Sequence, residues 1–262
     1  MKYHAVDLFD EPQVRSLVQT VRPTHLLHVA WIATPGIYWT SPENYRWVNA
    51  SESLFESFAE AGGERAVLVG TCAEYDWTGD GICREFDTPL YPTTVYGQCK
   101  NELRKRVEES AAKHGVSFAW ARIFFLYGPG EHPVRLVPSV TRSLLLKQPA
   151  ECTAGTQLRD FLITDDAADA LVALLSSRVD GPVNVASGEA VPVRKIVELI
   201  GRETGGRDFI RFGVKPTPPN DPPRLVADTS RLRKELRWTP RIGLVDGIAA
   251  TVRWWRGQVV GS

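Results

Sequence analysis

The apolar positions of this chain fall into short runs separated by longer amphipathic stretches. Tyr3 to Val6 reads as a strand, residues 7–23 (DLFDEPQVRSLVQTVRP) as a helix and residues 25–31 (HLLHVAW) as another strand. A loop rich in Pro, Gly and aromatic residues covers 32–45. A helix then runs over 46–62, closing at Gly62 and Gly63, and the apolar strand 65–71 (RAVLVGT) follows. A long polar loop leads to Pro92, a helix at 93–115 and a strand at 118–128 (FAWARIFFLYG). Continuous apolar strands alternating with helices predict a doubly wound α/β fold. Its parallel sheet is covered on both faces, and its ligands sit at the carboxyl ends of the strands. Beyond Pro129 the order loosens into Pro-rich loops, a helix near 136–148, the segment 159–177, a strand at 181–187, the segment 193–206 and a Pro-rich link to 224–240. Residues 259–262 (VVGS) read as a frayed tail, and no internal repeat is present.

Composition narrows the class. With 262 residues and 43% hydrophobic positions the chain is long enough to bury a sizeable core. Lys plus Arg and Asp plus Glu number 31 each, so no broad basic field exists to attract nucleic acid or an anionic membrane. Cys72, Cys83, Cys99 and Cys152 form no CxxC pair, which suits reduced thiols in a cytoplasmic protein. No apolar run reaches the ~18 residues of a membrane span, and the N-terminal residues lack a signal-peptide core. The five histidines have no metal-ligand spacing, so no metal is expected.

The densest chemical signal is VYGQCK, which sets Tyr96 and Lys100 on one face of a helix. A nearby ammonium favours a phenolate, so the spacing predicts a lowered tyrosine pKa and a phenol that can exchange a proton with a carbinol and carbonyl pair. YxxxK also occurs by chance. The context is Thr71, just past the end of strand 65–71, where a hydroxyl can meet a substrate oxygen.

These residues resemble the extended short-chain dehydrogenase/reductase family, the NAD-dependent epimerases, dehydratases and reductases of nucleotide sugars. The catalytic triad of that family would map to Thr71, Tyr96 and Lys100. HVAW, SPENYRWVN, ARIFFLYGPG, RDFLITDDAADA, NVASG and ADTSRLRKELRWTP match further family landmarks, so the likeness runs from about residue 3 to residue 255. It implies a Rossmann-like domain over 1–128, to which 159–180 return, and a smaller C-terminal substrate-binding region over 129–158 and 181–262. It also implies a homodimer through the two helices at 46–62 and 93–115.

The family opens with a strand, a G-x-x-G-x-x-G turn, a helix and a second strand, and this sequence has no counterpart ahead of HAVDLFD. The glycine turn and helix N-terminus form the pyrophosphate site. Three explanations stand open: a misassigned start, a true short form in which 3–6 pair directly with 25–30, or strands supplied by a partner. The choice between NAD and NADP belongs to the missing second strand. The remaining cofactor positions implied are Asp7 and Leu8 at the adenine, Ala30 and Trp31 beside the ribose, Tyr96 and Lys100, and Phe124 near the nicotinamide. Asp7 could equally cap the following helix, and the apolar residues could be core.

For a nucleotide-diphosphate sugar, the resemblance implies Arg159 at the diphosphate, Asn49 and Thr71 near the sugar, and Phe125 where the family carries Asn. Arg159 could instead pair with Asp160 at the surface. Arg224 is a departure, since the usual R-x-x-D would put its arginine at Pro218. Trp31, Tyr38, Trp39 and Trp47 could line the sugar pocket or form loop core. The dehydratase branch follows its threonine with Asp and Glu, here Cys72 and Ala73, so elimination is disfavoured and Glu74 is expected to point elsewhere. An epimerase and a 4-keto-sugar reductase remain. The rival is a nucleotide-sugar-binding or scaffold protein that has lost its cofactor.

Overall fold

The structure is a computed structural model and describes residues 2–260. In chain order its first half runs α1 (Glu11–Val21), β1 (His25–His28), α2 (Glu43–Glu60), β2 (Arg65–Thr71), β3 (Ile82–Cys83), α3 (Val95–His114), β4 (Ser117–Ile123) and β5 (Phe125–Tyr127). Next come α4 (Leu136–Leu145), β6 (Ala150–Glu151), β7 (Leu158–Arg159), β8 (Phe161–Ile163), α5 (Thr164–Leu175) and β9 (Gly181–Val185). The chain closes with β10 (Val191–Pro192), α6 (Val193–Thr204), β11 (Ile210–Arg211), β12 (Arg224–Ala227), α7 (Ser230–Lys234) and α8 (Leu244–Val260).

Two compact units form. The first holds the residues up to Asp76 with Glu85–Ile123 and Leu171–Asn184; the second holds Trp77–Arg84, Phe124–Ala170 and the chain from Val185 onward.

In the first unit the strands order β1-β2-β4-β9, with β1 and β4 parallel to β2. Ala66, Val67, Ala119, Trp120 and Ala121 are wholly buried without alternation, as expected of a sheet covered on both faces. Phe55 and Phe58 of α2 and Leu103 and Val107 of α3 pack into the same core. Glu52 of α2 pairs with Arg106 of α3 at 2.9 Å, which ties the helices together at their rim. The α/β class and parallel sheet agree with the sequence.

The second unit is built from shorter pieces. One sheet orders β10-β7-β12-β3, and two-stranded pairs form from β5 with β8 and from β11 with β6. Its core draws on Val137 and Leu144 of α4, Ile196 and Ile200 of α6, and Ile248 and Val252 of α8.

Some details depart from the sequence reading. Residues 2–5 are exposed and residues 3–6 form no strand, because no ladder holds them; among the described residues β1 pairs with β2 alone. The direct pairing of 3–6 with 25–30 is therefore not seen. The strand expected at 118–128 is two strands, since the chain leaves β2 after Ile123 and Phe125 begins pairing with Phe161. Helix α8 was not expected as a helix, and Val259 and Val260 end it rather than fray; Gly261 and Ser262 lie outside the described residues. Among the described residues no helix is long and apolar enough to cross a membrane.

Candidate active site

The site grows from the end of β2. Gly70 is required there, because a Cβ would stand 2.1 Å from Trp120 Nε1 and 2.6 Å from Glu74 Oε1. Thr71 then caps a 3-10 turn over Cys72–Glu74: its Oγ1 accepts the Ala73 N–H at 3.2 Å and its own N–H donates to Glu74 Oε1 at 2.8 Å. Helix α3 is started by Thr94, whose Oγ1 accepts the Gly97 N–H at 3.1 Å. Gly97 backs directly onto the turn, where a Cβ would lie 2.3 Å from the Ala73 carbonyl oxygen. This close approach brings the Tyr96 phenol beside the Thr71 side chain.

Lys100, one helical turn on, is buried. Its Nζ donates to the Val69 carbonyl at 2.8 Å and lies 3.8 Å from the centre of the Trp31 ring. Tyr38 and Trp39 set their rings edge to face against Tyr96, at 4.9 and 5.8 Å between centroids. Asn44 joins these supports: its Nδ2 donates to the carbonyls of Tyr38 and Ser41 at 2.7 and 2.8 Å, and its Oδ1 accepts the Trp31 indole N–H at 2.7 Å. Sequence reasoning missed Asn44, since one polar residue in a loop reads as solvated. Its position two residues after Pro42, inside an aromatic loop, was the available signal.

The electrostatics correct one expectation. Tyr96 is held above its ordinary pKa, because burial outweighs the downward pull of the Thr71 side chain and the charges of Tyr38, Cys72 and Glu74 push the same way as burial. Lys100 does not lower it, for the ammonium is turned to Val69 and Trp31. Lys100 itself is not secure in its charge: burial brings its pKa down to about 7, against the attraction of Glu74. His28, buried near Lys100 and bonded to Ser51 Oγ at 2.8 Å, falls to about 3, first through burial and then through the lysine.

The other predicted residues distribute as follows. In the first unit Asn49 is exposed and lines a shallow recess with Leu8, Phe9 and Arg46. Asp7 is exposed and its Oδ1 accepts the Phe9 N–H at 2.9 Å, while the cap of α1 is Asp10 rather than Asp7. Leu8 packs on the core, Ala30 is exposed and Trp31 covers Lys100. Trp47, on α2, lies between Phe9 and Trp31, with ring centroids 4.7 and 5.9 Å away and the planes tilted. In the second unit Phe124 is buried, and Arg159 lies 5.6 Å from the Phe125 ring centre. Arg159 is buried and pairs with Asp221, not with Asp160. Asp160 is fully buried and accepts the backbone N–H groups of Ser187, Gly188 and Ala227. Arg224 stands at the head of β12, half-buried. Glu74 points into the interior.

The hydroxyl, phenol and ammonium suit the reacting end of a nicotinamide cofactor, because Lys100 is a buried cation whose hydrogen bond is to a carbonyl and not to a carboxylate. The pyrophosphate end is different. The N-terminal turn of α1 is already occupied by the Asp10 carboxylate and Glu11, and none of the described glycines forms a turn between a strand and the start of α1.

Fold and site define a Rossmann-type α/β protein that sets a hydroxyl, a tyrosine and a lysine at the end of a central strand. The model of the NAD dependent epimerase/dehydratase family matches residues 1–186, and the chain belongs to that family. It is similar to the UDP-glucose 4-epimerase of Azospirillum brasilense, 28% identical over 237 residues, which cover 82% of this chain and 67% of that protein. It is also similar to GDP-L-fucose synthase 1 of Arabidopsis thaliana, 28% identical over 280 residues, covering 99% and 85%. Among solved structures, the UDP-glucose 4-epimerase of Thermus thermophilus in complex with NAD superposes with a TM-score of 0.85 at 25% identity, over 96% of this chain and 84% of that one.

Proposed function

We propose that the chain is an NAD(P)-dependent epimerase or 4-keto-sugar reductase acting on a nucleotide-diphosphate sugar. The observation that carries this is the Tyr96 phenol set beside the Thr71 side chain at the end of β2, with Lys100 one turn behind on the same helix. Tyr96 gives or takes the proton of the reacting hydroxyl, and Thr71 bonds the same oxygen. Lys100 supplies positive charge beneath the phenol once it turns from the Trp31 face toward bound cofactor. When bound, the cofactor accepts or returns a hydride at the sugar carbon. Cys72 and Ala73 stand where elimination would need an acid and a base, which favours both reactions over dehydration. Arg159, Arg224, Asn49 and Phe125 are the proposed substrate contacts, and a homodimer through α2 and α3 is the proposed assembly.

The single test is Tyr96→Phe. Turnover of UDP-glucose or its 4-keto derivative should fall by about 10²-fold or more, while NADH binding, followed by cofactor fluorescence, changes little. Unaltered turnover in the variant rejects the assignment. The binding-protein reading gains from the indole seated on Lys100, and it predicts that UDP-sugar binds the wild-type chain while neither NADH nor NADPH does.

A further inference from the structure

Glu74 is a buried carboxylate that the chemistry above leaves unused. Oε1 accepts the Thr71 N–H at 2.8 Å and the Trp120 indole N–H at 2.9 Å, and Oε2 accepts Arg122 Nε at 2.8 Å. Arg122 is as buried as its partner, and its other end donates to the Tyr75 hydroxyl at 3.1 Å, which in turn donates to Asn184 Oδ1 at 2.7 Å. The space for this cluster exists because residue 70 has no side chain. The last residues of β2 are therefore gripped at two peptides, by the Lys100 ammonium on the Val69 carbonyl and by the Glu74 carboxylate on the Thr71 N–H. A carbonyl facing the cation and an N–H facing the anion orient the strand end so that each charge is favoured. The groups that face Lys100 are His28 from β1, the Trp31 ring and Glu74 on the turn, with Arg122 of β4 behind Glu74.

We propose that Glu74 is a positioning residue of the triad: through the end of β2 it fixes Thr71 and acts as the counter-charge of Lys100, with Arg122 setting how much of that charge the lysine feels. This rests on Thr71, Tyr96 and Lys100 being the catalytic groups. Attraction to Glu74 opposes the burial that strips Lys100 of its proton, and the same carboxylate disfavours a Tyr96 phenolate. Proton affinity at both reacting groups thus depends on one side chain that touches neither substrate nor cofactor.

The test reads Lys100 directly, by the ¹⁵N shift of its Nζ against pH in lysine-labelled full chain, the resonance being assigned by its loss in Lys100→Met. Glu74→Gln keeps an oxygen for the Thr71 N–H and removes the charge, so the lysine midpoint moves down by about one pH unit. Arg122→Gln releases the charge of Glu74 and moves the midpoint up. Shifts of opposite sign support the proposal; no shift in either, or shifts of one sign, overturn it, because loss of packing alone has no reason to reverse. Where Glu74→Gln fails to fold, Glu74→Asp replaces it: charge is kept, so a midpoint near wild type supports the proposal, and a drop as large as that of a neutral substitution rejects it. If the wild-type chain shows no turnover, the proposed function fails while the Nζ titration still decides the role of Glu74. If it turns over, the alkaline limb of kcat follows the Nζ midpoint in each variant.

Discussion

Lys100 carries its amino group in an interior where a carbonyl and an indole face are its close partners, and this has a stability consequence opposite to that of a paired surface lysine. Its pKa falls from 10.5 to about 7 on folding. The unfolded chain therefore binds the proton more tightly, so this group lowers stability fully below about pH 7, and the cost fades as pH rises toward 10.5. Lys100→Met should be more stable than wild type at pH 6, by about 1–4 kcal/mol, with the advantage closing near pH 10, and it should lose turnover. Urea unfolding at pH 6, 8 and 10 measures this; a variant less stable at pH 6 contradicts it. Gly97 carries the opposite kind of cost. Because a Cβ would press on the backbone carbonyl of Ala73 at 2.3 Å, Gly97→Ala should cost about 1–3 kcal/mol. It should also separate Tyr96 from Thr71, so that kcat falls more than the stability loss alone explains.

At the scale of elements, the first turn of α3 holds Tyr96 in place. Thr94→Ala removes the acceptor of the Gly97 N–H and should destabilise by about 1 kcal/mol. Hydrogen exchange should quicken in residues 95–98 before the rest of α3; uniform loosening of the helix would mean that the cap is not what orders this turn. The helix itself was legible in the sequence over 93–115, but the sequence reading singled out neither its cap at Thr94 nor its stop at Gly115, which lies in the left-handed region at φ 70°. Strand β2 was legible too, for an unbroken apolar run needs cover on both faces. The break at Phe124 was not, since β4 and β5 are equally apolar and only their partners differ. Within the site, spacing placed Tyr96 and Lys100 on one face, but the burial that inverts their expected pKa relation comes from Trp31, Tyr38 and Trp39, which approach from a loop more than fifty residues away in sequence. Glu74 was expected to point elsewhere, and what it meets, Trp120 and Arg122, lies a strand away.

For the molecule as a whole, net charge is zero, so an anionic ligand gains little from long-range attraction and depends on local donors. In the first unit the N-terminal turns of α1, α2 and α3 are already engaged. Asp10 accepts the Gln13 N–H with Glu11 beside it, Ser41 Oγ accepts the N–H of Glu43, itself acidic, and Thr94 caps α3. Two of these ends carry carboxylates that repel a pyrophosphate rather than invite it. Affinity for a dinucleotide should therefore come mainly from its nicotinamide half, at Tyr96 and Lys100. Reduced nicotinamide mononucleotide should bind the chain within about tenfold of NADH, a difference of about 1.4 kcal/mol, and raising the salt from about 50 to about 500 mM should weaken both to a similar degree. The comparison needs no turnover and is made by fluorescence titration. Were NADH to bind several hundredfold more tightly than the mononucleotide, the adenosine diphosphate half would have to be gripped by donors other than these three helix ends. The basic side chains nearest the recess of Leu8 and Asn49, Arg46 first among them, would then be the ones to replace.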